Sequence, residues 1–233
     1  MGEVARGAER MNLALSPAGE RIVAFPGEKA KCPSCGEEVI AKCGEIKQWH
    51  WAHAGREDCD SWSEPESEWH LGWKAAFKES QREVVIGPHR ADILNQSGVV
   101  IELQHSAISP ETIKDRESYY GNMIWVIDSA PFIANLMYYP KSGYVKVKWK
   151  WPRKSWFSAK KPILIDTRDG WLFQPIKISD RGAGYGHFIE VSEFMEEYGA
   201  ISVATPRLYP RSCIECGRNG VHDCVCQICG ELQ

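Results

Sequence analysis

Two acids on either side of a short polar turn are the residues of this chain best placed to do chemistry. His89-Arg90-Ala91-Asp92-Ile93-Leu94 leads into Asn95-Gln96-Ser97-Gly98 and then into Val99-Val100-Ile101-Glu102-Leu103-Gln104-His105. Apolar runs flanking a Gly-containing turn predict a β-hairpin. Side chains alternate along a strand, so Glu102 and Gln104 share one face while Ile101 and Leu103 take the other. Asp92 on the first strand then stands beside Glu102 on the second. Clustered hard oxygen donors of this kind suit Mg²⁺ or Mn²⁺ and hydrolysis of a phosphodiester.

A second chemistry is written in the cysteines. Of nine, four lie between Cys32 and Cys59, five between Cys213 and Cys229, and none in the long middle. The first residues carry Glu3, Arg6, Glu9 and Arg10 with no apolar segment behind them, so no secretion signal is read. In that setting close Cys-x-x-Cys pairs point to metal knuckles rather than disulfides. Cys32-Pro33-Ser34-Cys35-Gly36 supplies half of a tetrahedral zinc site. His53 is the expected third ligand, with His50 or Cys59 completing the set and Cys43 an outside choice. Cys213, Cys216, Cys226 and Cys229 have the spacing of a zinc ribbon, with Cys224 and His222 as spares. Both zinc sites are expected to be structural, having no evident open position.

The elements that must position these residues follow from periodicity. Ser63-Glu64-Pro65 reads as the start of a helix running to about Ser80. Its apolar stripe is Trp69, Trp73, Ala76 and Phe77, beside a polar row of Glu66, His70 and Lys74. Arg82 to Ile86 is a strand, and Ser109-Pro110 caps a second helix that ends near Gly121. Met123 to Ile127 is apolar throughout, as a strand covered on both faces would be. Helix, three strands, helix, strand predicts an α/β layered core. Further on, Tyr144 to Trp151 alternates, with Val145, Val147, Trp149 and Trp151 on one face and three lysines on the other. Strands are expected at 162–166 and 171–173, a flexible loop around Gly182, Gly184 and Gly186, and a short helix from Val191 to Tyr198.

Charge is unevenly spread. The net charge of −3 announces nothing, yet Lys141 to Lys161 holds eight Lys or Arg and no acid. Lys146, Lys148, Lys150, Arg153 and Lys154, interleaved with Trp149, Trp151, Trp156 and Phe157, suit a nucleic-acid groove. The competing account is an edge strand whose lysines discourage aggregation. No run is long enough for a membrane span, and a cytoplasmic location is expected.

The Asp92 and Glu102 pair resembles the Asp…Glu-x-Lys signature of restriction-endonuclease-like nucleases, with Gln104 in place of the Lys. An amide can position water but carries no positive charge, so Lys74 or a second metal would have to assist. More widely, Glu66-Ser67-x-x-His70-x-x-x-Lys74, Arg90-Ala91-Asp92, Ile101 to Ser106, Ile108-Ser109, Arg116, Tyr119-Tyr120 and Ile124 to Ile127 resemble the CoiA-like competence proteins. So does the Cys-x-x-Cys followed by His-aromatic-Ala-His. The resemblance spans roughly residues 30 to 130.

It implies a restriction-endonuclease-like core, a mixed sheet flanked by helices, with a small zinc module at the N-terminus; the C-terminal zinc module is expected from its cysteine spacing and falls outside the family's general pattern. Asp92 and Glu102 would hold the metal, Gln104 would orient water, Glu66 would be an accessory acid, and His70 would touch phosphate or carry a proton. Lys74 and Arg116 are expected to meet nucleic acid. The expected organisation is a zinc-bearing segment at 1–62, a nuclease-like core at 63–140, a basic aromatic extension at 141–205 and a zinc ribbon at 206–233. The implied activity is metal-dependent cleavage of single- or double-stranded DNA, in company with recombination or DNA-processing proteins. The alternative is a non-cleaving DNA-binding or adaptor protein that keeps the fold.

Overall fold

A computed structural model describes residues 11–45, 49–54, 59–60, 62 and 66–199. The C-terminal cysteines, Cys213, Cys216, Cys224, Cys226 and Cys229, lie outside the described residues, as does the Ser63-Glu64-Pro65 helix start. What is described is a mixed α/β architecture with two sheets.

The smaller sheet has five antiparallel strands, β1 (Leu13–Leu15), β2 (Arg21–Val23), β3 (Lys29–Lys31), β4 (Glu38–Lys42) and β5 (His50–His53), in the order β2-β1-β3-β4-β5. An isolated bridge between Met11 and Trp51 draws β5 back toward the start of β1. Its core is small: Met11, Ala14, Ala24, Ala30, Cys32, Val39 and Trp51. Trp51 is the one large ring in it, and its indole donates to the Ile22 carbonyl at 3.1 Å. A core of seven residues, three of them alanine, buries little apolar area, so this sheet is expected to need help to stay folded.

The larger sheet has nine strands. In chain order they are β6 (Arg82–Ile86), β7 (His89–Leu94), β8 (Val100–Gln104), β9 (Met123–Asp128), β10 (Leu136–Lys141), β11 (Tyr144–Trp149), β12 (Ile163–Asp166), β13 (Trp171–Ile178) and β14 (Ala183–Glu190). In space they run β10-β11-β14-β13-β12-β9-β8-β7-β6. The pairs β8–β9 and β9–β12 are parallel, and β9, buried at every position, has the continuous apolar pattern that such a place demands. The strands of the expected basic extension therefore continue the sheet that carries the hairpin.

Three helices cover the sheet. α1 (Glu68–Ala75) and α3 (Val191–Tyr198) pack on one face, where Trp69, Trp73, Phe77 and Phe194 meet Ile93, Ile101, Leu103 and Leu172. α2 (Pro110–Tyr120) lies on the other, with Ile113 against Val100, Trp125 and Ile127. α2 has the ends the sequence predicts. The Ser109 hydroxyl accepts from the Thr112 amide at 3.1 Å, a cap worth about 1 kcal/mol, and Gly121 closes the helix at a φ of 66°.

α1 is shorter than its periodicity suggests at both ends. It opens at Ser67, whose hydroxyl accepts the His70 amide while the His70 ring accepts the Ser67 amide. It ends at Ala75 because the Arg82 guanidinium takes the carbonyls of Ala75 and Phe77, and a 3₁₀ turn at Glu79–Gln81 follows. Two further expectations are corrected. Residues 183–190 form strand β14 rather than a flexible loop. Trp151 leaves β11 with a φ of +57° and is 72% exposed, so it does not continue the buried row of Val145, Val147 and Trp149.

Candidate functional site

The cysteine–histidine cluster is assembled by the small sheet. Cys32 and Cys35 sit on the turn between β3 and β4, where the Gly36 amide bonds back to the Cys32 carbonyl at 2.9 Å and Gly36 takes a φ of +74°. His53 ends β5. The ligand atoms of Cys32, Cys35, His53 and Cys59 all lie within 4.8 Å of one another. Cys32 Sγ is 3.6 Å from Cys59 Sγ, and Cys35 Sγ is 3.2 Å from His53 Nε2. Three thiols and an imidazole at tetrahedral-edge separations are a donor set that fits zinc, and the cluster could bind one zinc ion. His50 is not in the group. It lies three residues from His53 on one strand, and an odd spacing sends the two side chains to opposite faces. Cys59 takes the place that His50 was a candidate for.

Immediately after Cys59, the chain is fastened to the large sheet. The buried Asp60 carboxylate accepts from the His89 ring at 2.9 Å and from the Arg90 amide at 2.8 Å. The Trp62 ring stacks on His89 with centroids 3.3 Å apart, and the Trp62 carbonyl accepts from Arg116. The first residues of β7 and the middle of α2 are thus tied to the segment that carries the fourth cysteine.

Between those two ties lies the acid pocket. β7 and β8 pair directly only near their turn, Ile93 with Ile101 and Leu94 with Val100. Beyond that point the carboxylates replace the ladder: Asp92 Oδ2 accepts the Leu103 amide at 2.9 Å, and Glu102 Oε1 accepts the Asp92 amide at 3.3 Å. Lys74 of α1 reaches Asp92 at 3.0 Å, Glu83 at 3.4 Å, and Glu66 in a closer pair. Arg116 of α2 holds Glu102 Oε2 at 2.7 Å. Trp69 and Trp73 fix α1 in place by donating to Asp166 at 2.7 and 2.9 Å, which is how Lys74 comes to rest over the hairpin.

The charges act strongly because the pocket is largely shielded from water, with Asp92 its most exposed acid at 22% of its side chain. Burial pushes the Glu66 carboxyl up to about 7, helped by Glu83 and Asp92 and opposed by Lys74. Burial and the Asp92 charge bring Glu102 to about 7, against the pull of Arg116. Burial would raise Asp92 too, but Lys74, His70 and the Leu103 amide outweigh it and hold it below the usual carboxylate range. Glu83 is likewise lowered, Lys74 and Arg90 outweighing its burial. Two buried carboxylates, Glu83 and Glu102, and two half-buried ones, Glu66 and Asp92, therefore share Lys74, Arg116 and Arg90.

Residues 27–61 match the family described as competence protein CoiA, N-terminal domain. That stretch contains all four residues of the cysteine–histidine cluster and supports the CoiA-like resemblance read from the sequence. It stops short of α1, so the acid pocket lies outside it. No curated protein and no solved structure matches the chain.

The structure sorts the remaining expected residues. Lys74 and Arg116, expected at a phosphate backbone, are buried and engaged with carboxylates, so neither faces solvent. His70 commits Nδ1 to capping α1, and Gln104 is buried with its amide donating to the Ser106 carbonyl at 3.3 Å. Trp149 and Trp156 are core residues, the first stacked on Phe132 and the second edge-on to Trp125. Lys146, Lys148, Lys150 and Lys154 are exposed. Arg153 reaches the carbonyls of His105 and Ser106 at 3.3 and 3.4 Å, joining the basic segment to the loop after β8. Glu83 was not singled out from the sequence. Its one visible signal is an acid among the valines of β6, and the structure adds a φ of +48° that turns it toward Lys74.

Proposed function

We propose that this chain is a divalent-metal-dependent nuclease acting on DNA, built on a restriction-endonuclease-like core. The observation that carries the reading is the reciprocal seating of Asp92 and Glu102 in the gap between β7 and β8, with Glu66 brought to them through Lys74. Support also comes from the order α1, β6, β7, β8, α2, β9 and from the match to a competence protein family. The donor set is all carboxylate oxygen, and its charge exceeds what the nearby cations offset, which suits Mg²⁺ or Mn²⁺. Asp92 and Glu102 would hold the ion, which would offset charge developing on a phosphodiester.

Lys74 answers the departure at Gln104. Its ammonium, 3.0 Å from Asp92, brings to the pocket the positive charge that a Lys at position 104 would have supplied from β8. Gln104, on the same strand face as Glu102, would position water, and Glu66 would accept or hold a proton from a carboxyl poised near neutrality. Magnesium- or manganese-dependent cleavage of single- and double-stranded DNA is expected for the wild type and lost by at least a hundredfold in Asp92→Ala and Glu102→Ala. Cleavage that survives both substitutions removes the site from the chemistry.

One feature favours a second reading. Asp92 and Glu102 are already neutralised by Lys74 and Arg116, as in a pocket that keeps its fold without turning over. Binding of DNA with no cleavage under any divalent cation would assign the chain to the non-cleaving adaptor class.

A further inference from the structure

We propose that the uncovered face of β10, β11, β14 and β13 binds single-stranded DNA by stacking bases on tyrosines between lysines. This deepens the DNA-handling function proposed above and rests on it for the choice of DNA over RNA. The register gives the argument its form. Tyr139 pairs with Lys146, Lys146 with Tyr185, and Tyr185 with Lys177, so Tyr-Lys-Tyr-Lys runs straight across four strands. Beside it runs Met137-Lys148-Ala183, and beyond it lie Lys141 and Tyr144. The residues of these rows are exposed and contain no acid.

Lysines on a strand commonly shield a sheet edge. That explanation fails for Lys146, Lys148 and Lys177, because β11 is flanked by β10 and β14, and β13 by β14 and β12; of these lysines Lys141 alone is on the edge strand, β10. Nor do the lysines neutralise anything: Lys141, Lys146, Lys148 and Lys177 have no ion-pair partner among the described residues. The rings are equally without cover. Tyr139 is 47% exposed, Tyr185 41% and Tyr144 37%, with Tyr144 edge-on to Tyr185 at 6.2 Å. Trp151, 72% exposed with Lys150 Nζ 4.1 Å from its ring centre, stands at the end of β11.

The backbone is shaped to present Tyr185. A Cβ at Gly184 would lie 2.1 Å from the Lys177 carbonyl oxygen, and one at Gly186 would lie 2.1 Å from that of Gln174. Only glycine allows β14 to press against the bulge in β13 at Pro175/Lys177, and the ring between the two glycines projects outward. Aromatic faces separated by cations are the pattern by which sheets hold unpaired strands: rings stack on bases of any sequence, and lysines meet the phosphates. A duplex hides its base faces and would leave the tyrosines without a role.

The test is fluorescence anisotropy with a labelled twenty-nucleotide oligo-dT, its duplex and an oligo-rU of the same length. The full-length, zinc-loaded Asp92→Ala protein is used in buffer without magnesium or manganese. Tyr139→Ala and Tyr185→Ala should each weaken oligo-dT binding about tenfold, and Tyr139→Phe should restore it. Lys146→Glu and Lys148→Glu should lower the salt dependence by about one ion each. Circular dichroism and melting would show that the variants are folded. Tyrosine variants that bind like the parent, tighter binding of the duplex, or preference for oligo-rU would each overturn the proposal. If oligo-dT binding falls as expected while the wild type cleaves nothing, this face stands and the nuclease function falls.

Discussion

The cysteine–histidine cluster and the acid pocket are both sets of metal-type ligands, yet they are held in opposite ways. Cys32, Cys35, His53 and Cys59 are gathered from turns and strand ends of a sheet whose core is only seven residues, three of them alanine. Little besides a metal would keep three thiols and an imidazole together there. Glu83, Asp92 and Glu102 are instead carried by strands of a nine-stranded sheet, with Glu66 just ahead of α1, and Lys74 and Arg116 from two helices offset part of their charge. On the function proposed above, one cluster would need its ion to fold, while the other would fold first and leave its ion for chemistry. Asp60 and Trp62 join the two, which makes the difference between them measurable.

Zinc removal should have the largest effect. Structural zinc contributes on the order of 10 kcal/mol to small modules of this kind. Chelation is expected to abolish hydrogen-exchange protection in β3, β4 and β5 while β8 and β9 stay protected. Amides at His89 and Arg90 should loosen as well, because Asp60 follows directly on Cys59. Protection that persists in β4 and β5 after zinc loss would erase the contrast between the regions.

The second effect belongs to Lys74. Removing one partner from a buried charge cluster strands the others, at a cost of about 3–5 kcal/mol. Lys74→Met should therefore lower the denaturation midpoint of the large sheet substantially, although it preserves most of the side-chain volume. Adding Asp92→Asn to Lys74→Met should recover part of that loss. If the two losses simply add, the ammonium and the carboxylate are not a coupled pair.

Much of this could be read beforehand, and what escaped did so for physical reasons. The hairpin, α2 and β9 were legible because turn residues, caps and apolar runs are local signals. The choice of Cys59 over His50 was not made from the sequence, although strand alternation alone separates His50 from His53. Glu83 was not legible, because a single positive φ rather than a pattern points it inward. β14 was mistaken for a loop because glycines weaken a strand in isolation, whereas here they permit a close approach to β13 that only the tertiary structure creates. Trp149 and Trp156 misled in the other direction: aromatic residues next to lysines suggest a binding groove, but alternation buries the first and the 3₁₀ turn at Lys154–Ser158 buries the second.

The smallest expected effect is the pH dependence of the pocket without magnesium or manganese. Glu66 and Glu102 have folded-state values near 7 against an ordinary 4.5, so the folded protein holds protons that the unfolded chain releases. Their contribution is fully present below about pH 4.5 and is lost as pH rises through about 7. Asp92 and Glu83 are shifted down and act oppositely, but their window lies below the ordinary carboxylate range and leaves pH 5–8 to the raised pair. At about 1.4 kcal/mol per unit, Glu66 accounts for at most about 3 kcal/mol across this window. The melting temperature of the zinc-loaded protein should fall between pH 5 and 8, and Glu66→Gln, which cannot titrate, should flatten the slope. Magnesium should oppose the fall at the upper end, because the ion takes over the charge that the protons had offset. A slope that Glu66→Gln leaves unchanged would show that the pocket is open to water, with its acids no more perturbed than those on the surface.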